Sequence, residues 1–248
     1  MGAAPLIELA EVGKTFPNGT VALAAMSAAI GTHEFVSLLG PSGCGKSTVL
    51  RLISGLASPS SGSIRWHDAQ PAAREVGFVF QEPTLMPWTS VARNVYLPLR
   101  LKGVPFAQAR ARIDAALARV GLTEFADAYP RELSGGMKMR VSIARALVTE
   151  PRVLLMDEPF AALDEMTRTR LNDDVLELWR AQRWTVLFVT HSVFESVYLS
   201  SRIVVMAARP GRVTASIDID APYPRGEAFR LSERYNTYCR RVSEALRG

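Results

Sequence analysis

The run FVSLLGPSGCGKSTVLRLISGL, residues 35–56, restricts the fold more than any other part of the chain. An apolar, strand-like stretch passes through a glycine-rich loop into a segment with helical apolar spacing. Gly40, Gly45, Lys46 and Ser47 satisfy the spacing GxxxxGK[ST]. In that setting backbone N–H groups wrap the β- and γ-phosphates of a nucleotide, Lys46 neutralises them, and the Ser47 hydroxyl binds Mg²⁺ at the helix start. Gly40, Pro41, Ser42, Gly43, Cys44, Gly45, Lys46, Ser47 and Thr48 therefore form a candidate phosphate cradle. Cys44 lies inside it, where the helix dipole and Lys46 favour a thiolate, so maleimide labelling blocked by MgATP is expected.

The rest of the chain supplies a setting for that loop. Strand-like runs at FVSLLG, SGSIRW, VGFVFQ, RVLLMDEP, WTVLFVT and SSRIVVMA are separated by helical patterns, which predicts an α/β core with a mainly parallel sheet. Residues 1 to about 36 read as an N-terminal antiparallel β region, with LIELAEV and the turn FPNG. Residues 89–150 read as an inserted α-helical subdomain, 1–88 and 151–212 as the nucleotide-binding core, and 213–248 as a C-terminal extension ending in a packing helix.

Composition closes off other classes. The 248 residues are 48% hydrophobic, enough for a large buried interior. Net charge is +5, but the basic residues, such as Arg110, Arg112 and Arg119, are spread over helical stretches and form no block, so no nucleic-acid groove is expected. Cys44 and Cys239 lack disulfide-framework or zinc spacing and suggest a reducing compartment. The opening GAAPLIELAEVGK has no signal-peptide pattern, and the longest apolar run, VALAAMSAAI, falls short of the ~18 residues that span a bilayer.

Two more strand ends carry reactive groups. RVLLMDEP terminates in Asp157 and Glu158. The carboxyl end of a strand in an open α/β sheet faces the ligand crevice, so Asp157 can hold Mg²⁺ through water while Glu158 polarises an attacking water. His191 follows the strand WTVLFVT, where a neutral imidazole could reach the γ-phosphate and orient that water. His33 and His67 have no such setting.

LSGGMKMRVSIARAL, residues 133–147, adds two adjacent glycines after a serine at a helix start, an anion-binding arrangement. With the phosphate loop and the strand-end acids, this stretch resembles the signature of the ATP-binding cassette (ABC) ATPases. The resemblance implies a P-loop NTPase, RecA-like core and a head-to-tail pair in which Ser134, Gly135 and Gly136 contact the γ-phosphate held by the other copy. It further implies that Phe16 stacks on adenine, that Gln81 senses Mg²⁺ and the γ-phosphate, and that Asp164 of AALD lies in a loop communicating across the dimer. The implied metal ligands are Ser47, Gln81 and Asp157, and the implied catalytic residues are Glu158, His191, Lys46 and Gln81. Phe16 replaces the family's usual tyrosine, and Met137 replaces the commoner glutamine after the glycines.

Met137, QEPTLMPWTSVARNV and VTHSVFESVYLSSRIVVMAARPGRV resemble the importer branch that serves nitrate, sulfonate, taurine and the pyrimidine precursor of thiamine. That likeness implies an ATPase subunit on the cytoplasmic side of the inner membrane, peripheral to separate integral permease subunits and served indirectly by an extracytoplasmic solute-binding protein. Leu85, Met86 and Trp88, in a segment stiffened by Pro83 and Pro87, form either a local satellite core or, as the likeness implies, the lining of the groove that receives a permease helix. The alternatives are an ABC ATPase acting on nucleic acid or ribosomes, which salt-dependent nucleic-acid binding would favour, and a P-loop small-molecule kinase, for which the LSGGM stretch has no use.

Overall fold

The computed structural model describes residues 5–67, 76–208 and 210–247. They group into two compact units, one within Met1–Ala73 and Arg183–Gly248, the other within Arg74–Gln182.

In the first unit, β1 (Ile7–Thr15), β2 (Val21–Ile30) and β4 (Ser61–Trp66) form an antiparallel sheet in the order β2-β1-β4. The central strand of a second sheet is β3 (Phe35–Leu39), paired in parallel with β7 (Thr185–Thr190) on one side and β8 (Arg202–Ala207) on the other. β9 (Arg212–Asp218) returns antiparallel along β8. Every residue of β3 and β7 is buried, which is why both read as unbroken apolar runs and not as alternating ones. Their carboxyl ends deliver the chain into α1 (Lys46–Ile53) and α6 (Val193–Leu199) respectively. A bidentate ion pair from Arg202 to Glu34, at 2.6 and 2.8 Å, joins the start of β8 to the turn ahead of β3. Hydrogen bonding to Glu34 holds the Arg202 guanidinium above its usual range. α7 (Glu227–Arg230) and α8 (Glu233–Arg247) complete the unit, α8 turning Tyr235, Cys239 and Val242 inward as one stripe.

The second unit contains the parallel pair β5 (Val76–Val79) and β6 (Val153–Asp157) with four helices: α2 (Val91–Leu101), α3 (Phe106–Arg119), α4 (Gly135–Leu147) and α5 (Glu165–Gln182). Four of the five β6 residues are buried and only Asp157 reaches partial exposure, so the strand pushes its acid outward at its carboxyl end. Among the described residues, no helix is long and apolar enough to cross a membrane.

The architecture agrees with the α/β expectation: parallel pairing at the phosphate loop, an antiparallel N-terminal sheet, and helices between residues 91 and 147. Two strands escaped the sequence reading. β2 is alanine-rich, a composition with weak strand preference, and register shifts against β1 erase any alternation. β9 does alternate, as RVTASID, but only Ile217 is buried, and the small Ala215 beside Ser216 makes its apolar face a weak signal.

Candidate nucleotide site

The loop after β3 is shaped by what packs against its backbone. Gly45, the residue before α1, has φ 90°, a left-handed conformation that glycine adopts without strain. A Cβ there would lie 2.7 Å from the Leu23 side chain and 2.8 Å from the Ala22 carbonyl, so β2 runs directly along the loop. Gly211 closes the other side: a Cβ on it would meet the Cys44 carbonyl at 2.2 Å. Gly211 also donates to Ala22 O at 3.1 Å and accepts from Ala24 N at 3.0 Å. The phosphate loop is thus clamped by β2 and by the turn into β9, and Gly211 is a site-forming residue that no motif announced.

Lys46 is 4% exposed and its ammonium donates to the carbonyls of Gly40 at 2.8 Å and Pro41 at 3.1 Å. The cation is held back over the loop's own acceptors, in the place from which charged phosphate oxygens, which are stronger acceptors, would recruit it. Pro41, Ser42 and Gly43 are exposed, while Ser47 and Thr48 are half-buried. Cys44 corrects an expectation. Its residue is wholly buried, with Sγ at 4.0 Å from the Lys46 ammonium, so a maleimide must wait for the loop to open.

Also in the first unit, Phe16 stands at the β1–β2 turn, half-buried, with the Lys14 ammonium 5.6 Å from its ring centroid. His191 is exposed, one residue beyond β7 and directly before Ser192, whose hydroxyl caps α6 by accepting from Glu195 N at 3.3 Å.

In the second unit, Asp157 and Glu158 occupy the end of β6, both partly exposed. Glu158 has φ 44°, left-handed backbone that an unbranched side chain enters only against strain. Such strain gathers at functional sites, but Glu158 shares positive φ with six other described non-glycine residues, so it accompanies the strand-end motif and does not replace it. Asp164 accepts from Thr167 N at 2.9 Å and caps α5. The Thr167 backbone and hydroxyl donors hold its carboxylate below the usual range. Gln81 is exposed just past β5. The segment behind it is tied down by two side chains. Asn94, fully buried, accepts from Met86 N at 2.7 Å and donates to carbonyls of Met86, Thr89 and Ser90. Arg145, from α4, donates to the carbonyls of Thr84 at 2.9 Å and Pro83 at 2.7 Å. Neither was visible as a functional residue in the sequence, since a lone Asn or Arg within a helical pattern carries no spacing signal.

Ser134 caps α4, its hydroxyl accepting from Met137 N at 3.2 Å, which leaves its hydrogen available to a further acceptor. Ser134 and Gly135 are exposed. Gly136 is not: it is buried, and a Cβ would stand 2.6 Å from the Thr167 methyl. Gly135 thus stands exposed at a helix start, and at Gly136 the packing of Thr167 adds a reason of its own for the missing side chain.

A family model described as ABC transporter matches residues 23–161, more than half of the chain. This chain belongs to the ABC transporter family. The aliphatic sulfonates import ATP-binding protein of Bacillus subtilis is 46% identical to this ABC ATPase over 198 residues, 79% of this chain and 76% of that one. The nitrate import ATP-binding protein of Synechocystis sp. is 40% identical over 257 residues, 98% and 95% of the two chains. Among solved structures, a dimeric ATP-binding cassette in a post-hydrolysis state, bound to ADP and Pi, superposes with a TM-score of 0.75 at 32% identity, over 87% of this chain and 100% of that one. The resemblance to the importer branch is borne out by these relatives, and ATP is the nucleotide of the family.

Proposed function

We propose that this ABC ATPase is the energy-coupling subunit of an importer for a small oxyanion-bearing solute of the sulfonate or nitrate type, peripheral to integral permease subunits on the cytoplasmic side of the membrane. The carrying observation is that each unit offers a glycine-flanked helix start suited to an anion, α1 behind Gly45 and Lys46, and α4 behind Ser134 and Gly135. One such terminus suffices to bind a nucleotide. A second, exposed one suits a phosphate presented by another copy, and supports a head-to-tail pair.

In this reading the loop amides and Lys46 hold the β- and γ-phosphates, and Phe16 stacks on the base. The Glu158 carboxylate accepts a proton from the water that attacks the γ-phosphorus, His191 and Gln81 orient that water, and Lys46 offsets charge on the leaving oxygens. Asp164 links the pair across its interface. Ser47, Gln81 and Asp157 would hold Mg²⁺. They offer one hydroxyl, one amide and one carboxylate, and among the described residues no group of three or more His, Cys, Asp or Glu could hold a metal. Such an all-oxygen, carboxylate-poor set fits Mg²⁺ whose remaining ligands are phosphate oxygens and water. When bound, that ion would supply charge neutralisation at the phosphates.

The partner surface in this proposal is the segment of Leu85, Met86 and Trp88, whose Trp88 is 74% exposed. Co-expression with an integral membrane partner followed by reconstitution provides the test. ATP-dependent uptake of a labelled sulfonate or nitrate, lost with Lys46→Ala, is expected. ATP hydrolysis that never associates with a membrane subunit and rises instead on added RNA or DNA would overturn the importer reading.

A further inference from the structure

Beyond β9 the chain returns to α6 and grips it at both ends. α6 spans only Val193–Leu199, too short to hold itself, and carbonyls in its last turn lack downstream partners. Arg225, 5% exposed, donates one guanidinium nitrogen to the carbonyls of Val197, Tyr198 and Ser200 at 3.0, 2.9 and 2.8 Å. Its other terminal nitrogen donates to those of Ile219 and Ala221. Tyr223 supplies a hydroxyl to Leu199 O at 2.9 Å, and Tyr198 returns one to Arg225 O at 2.9 Å. A cation over the carbonyl end also suits the helix dipole. At the opposite end, the Tyr235 hydroxyl of α8 donates to Phe194 O at 3.0 Å. Phe229 meets the Tyr235 ring edge-on at 5.3 Å, and Arg230 covers the Tyr198 ring at 3.7 Å. Burial pushes both phenols upward, Tyr223 to about 12, so both stay protonated donors at neutral pH.

The gripped helix is the one that His191 introduces. Glu195, buried on α6, accepts from the Thr190 hydroxyl at 2.5 Å, and that hydroxyl accepts from Ser192 N at 3.0 Å. The Thr190 hydroxyl thereby links Glu195 of α6 to the Ser192 amide, and the Ser192 hydroxyl accepts from Glu195 N, so a shift of the helix is passed to the two residues that flank His191.

We propose that the C-terminal segment 219–247 is a clamp on α6 that sets the placement of His191, with Arg225, Tyr223 and Tyr235 as positioning residues for hydrolysis. This rests on the reading of His191 as the group that orients the attacking water. The hydrogen bonds that Arg225, Tyr223 and Tyr235 donate go to α6 and to Ser200, Ile219 and Ala221, not to the phosphate loop or Phe16, so nucleotide binding should be insulated from the clamp while turnover is not.

The test uses the full chain, with kcat and KM for MgATP measured for Tyr235→Phe and Tyr223→Phe, alone and combined with His191→Ala. Each Tyr→Phe change deletes one hydroxyl and keeps the ring. Expected are kcat values about fivefold lower with KM within about twofold, faster amide exchange across residues 193–199, and no further loss when either is added to His191→Ala. Unchanged kcat in both variants, or losses that multiply with His191→Ala, would overturn the clamp while leaving the role of His191 intact. Wild-type turnover in His191→Ala itself would remove that role, and the clamp with it.

Discussion

Two irregular segments serve the ABC ATPase, and they are held in opposite ways. The phosphate loop is fixed through backbone: Gly40, Gly45 and Gly211 let main chain approach main chain, and Lys46 folds its ammonium onto loop carbonyls. The segment from Pro83 to Ser90 is fixed through side chains, with Asn94 and Arg145 reaching in from α2 and α4 to satisfy its backbone groups. A loop that must present amides to a ligand cannot cover them with its own side chains. A loop that must present apolar side chains can spend its backbone on internal bonds. Thr84, at φ 46°, is kept in left-handed backbone by Arg145, which binds both its carbonyl and its hydroxyl.

If the phosphate loop depends on bare backbone, Gly211→Ala should have the largest effect of any change outside the recognised motifs. A Cβ at 2.2 Å from a carbonyl can be accommodated only by moving main chain, at a cost of about 1–3 kcal/mol. Urea unfolding should show that loss, and ATP affinity should fall about tenfold with it. Wild-type affinity in a folded Gly211→Ala would break the comparison on this side.

On the other side, Asn94→Ala takes from the Met86 amide and the Thr89 carbonyl, both in half-buried residues, the side-chain partner that holds them, and should lower stability by about 2 kcal/mol. Nucleotide titration should find ATP affinity within about twofold of wild type. A loss of affinity as large as that of Gly211→Ala would mean that the two segments are not independently built.

The same contrast explains what could be read from the sequence. Backbone-built sites need glycine and proline at fixed offsets, so the phosphate loop and the helix start at Ser134 were legible in one chain. Side-chain-built segments draw on single polar residues at no fixed distance: Arg145 lies some sixty residues from the backbone it holds, and Arg225 about twenty-five from α6. Gly136 carries a constraint that spacing did not show: a Cβ there would meet the Thr167 methyl of its own chain. The Glu158 backbone strain and the two-ended grip on α6 belong to folded geometry and leave no local pattern.

Smaller effects sharpen the account. Cys44 should react with maleimide far more slowly than a denatured-state thiol, and MgATP should slow it further, as read by mass spectrometry; rapid stoichiometric labelling of the native chain would contradict its burial. Trp88→Ala should change stability by no more than about 0.5 kcal/mol, since its side chain is largely in solvent. It should nevertheless weaken co-purification with a membrane partner, the outcome that separates a presented side chain from a structural one.

The central claim is that phosphate binding and water activation rest on different residues, the loop of Lys46 for the first and the strained Glu158 for the second. Parallel measurement of equilibrium ATP binding and MgATP turnover in Glu158→Gln tests it most directly. The account predicts binding within about threefold of wild type and turnover lower by about 10²-fold or more. Turnover within tenfold of wild type, with the variant folded and binding ATP, would contradict it.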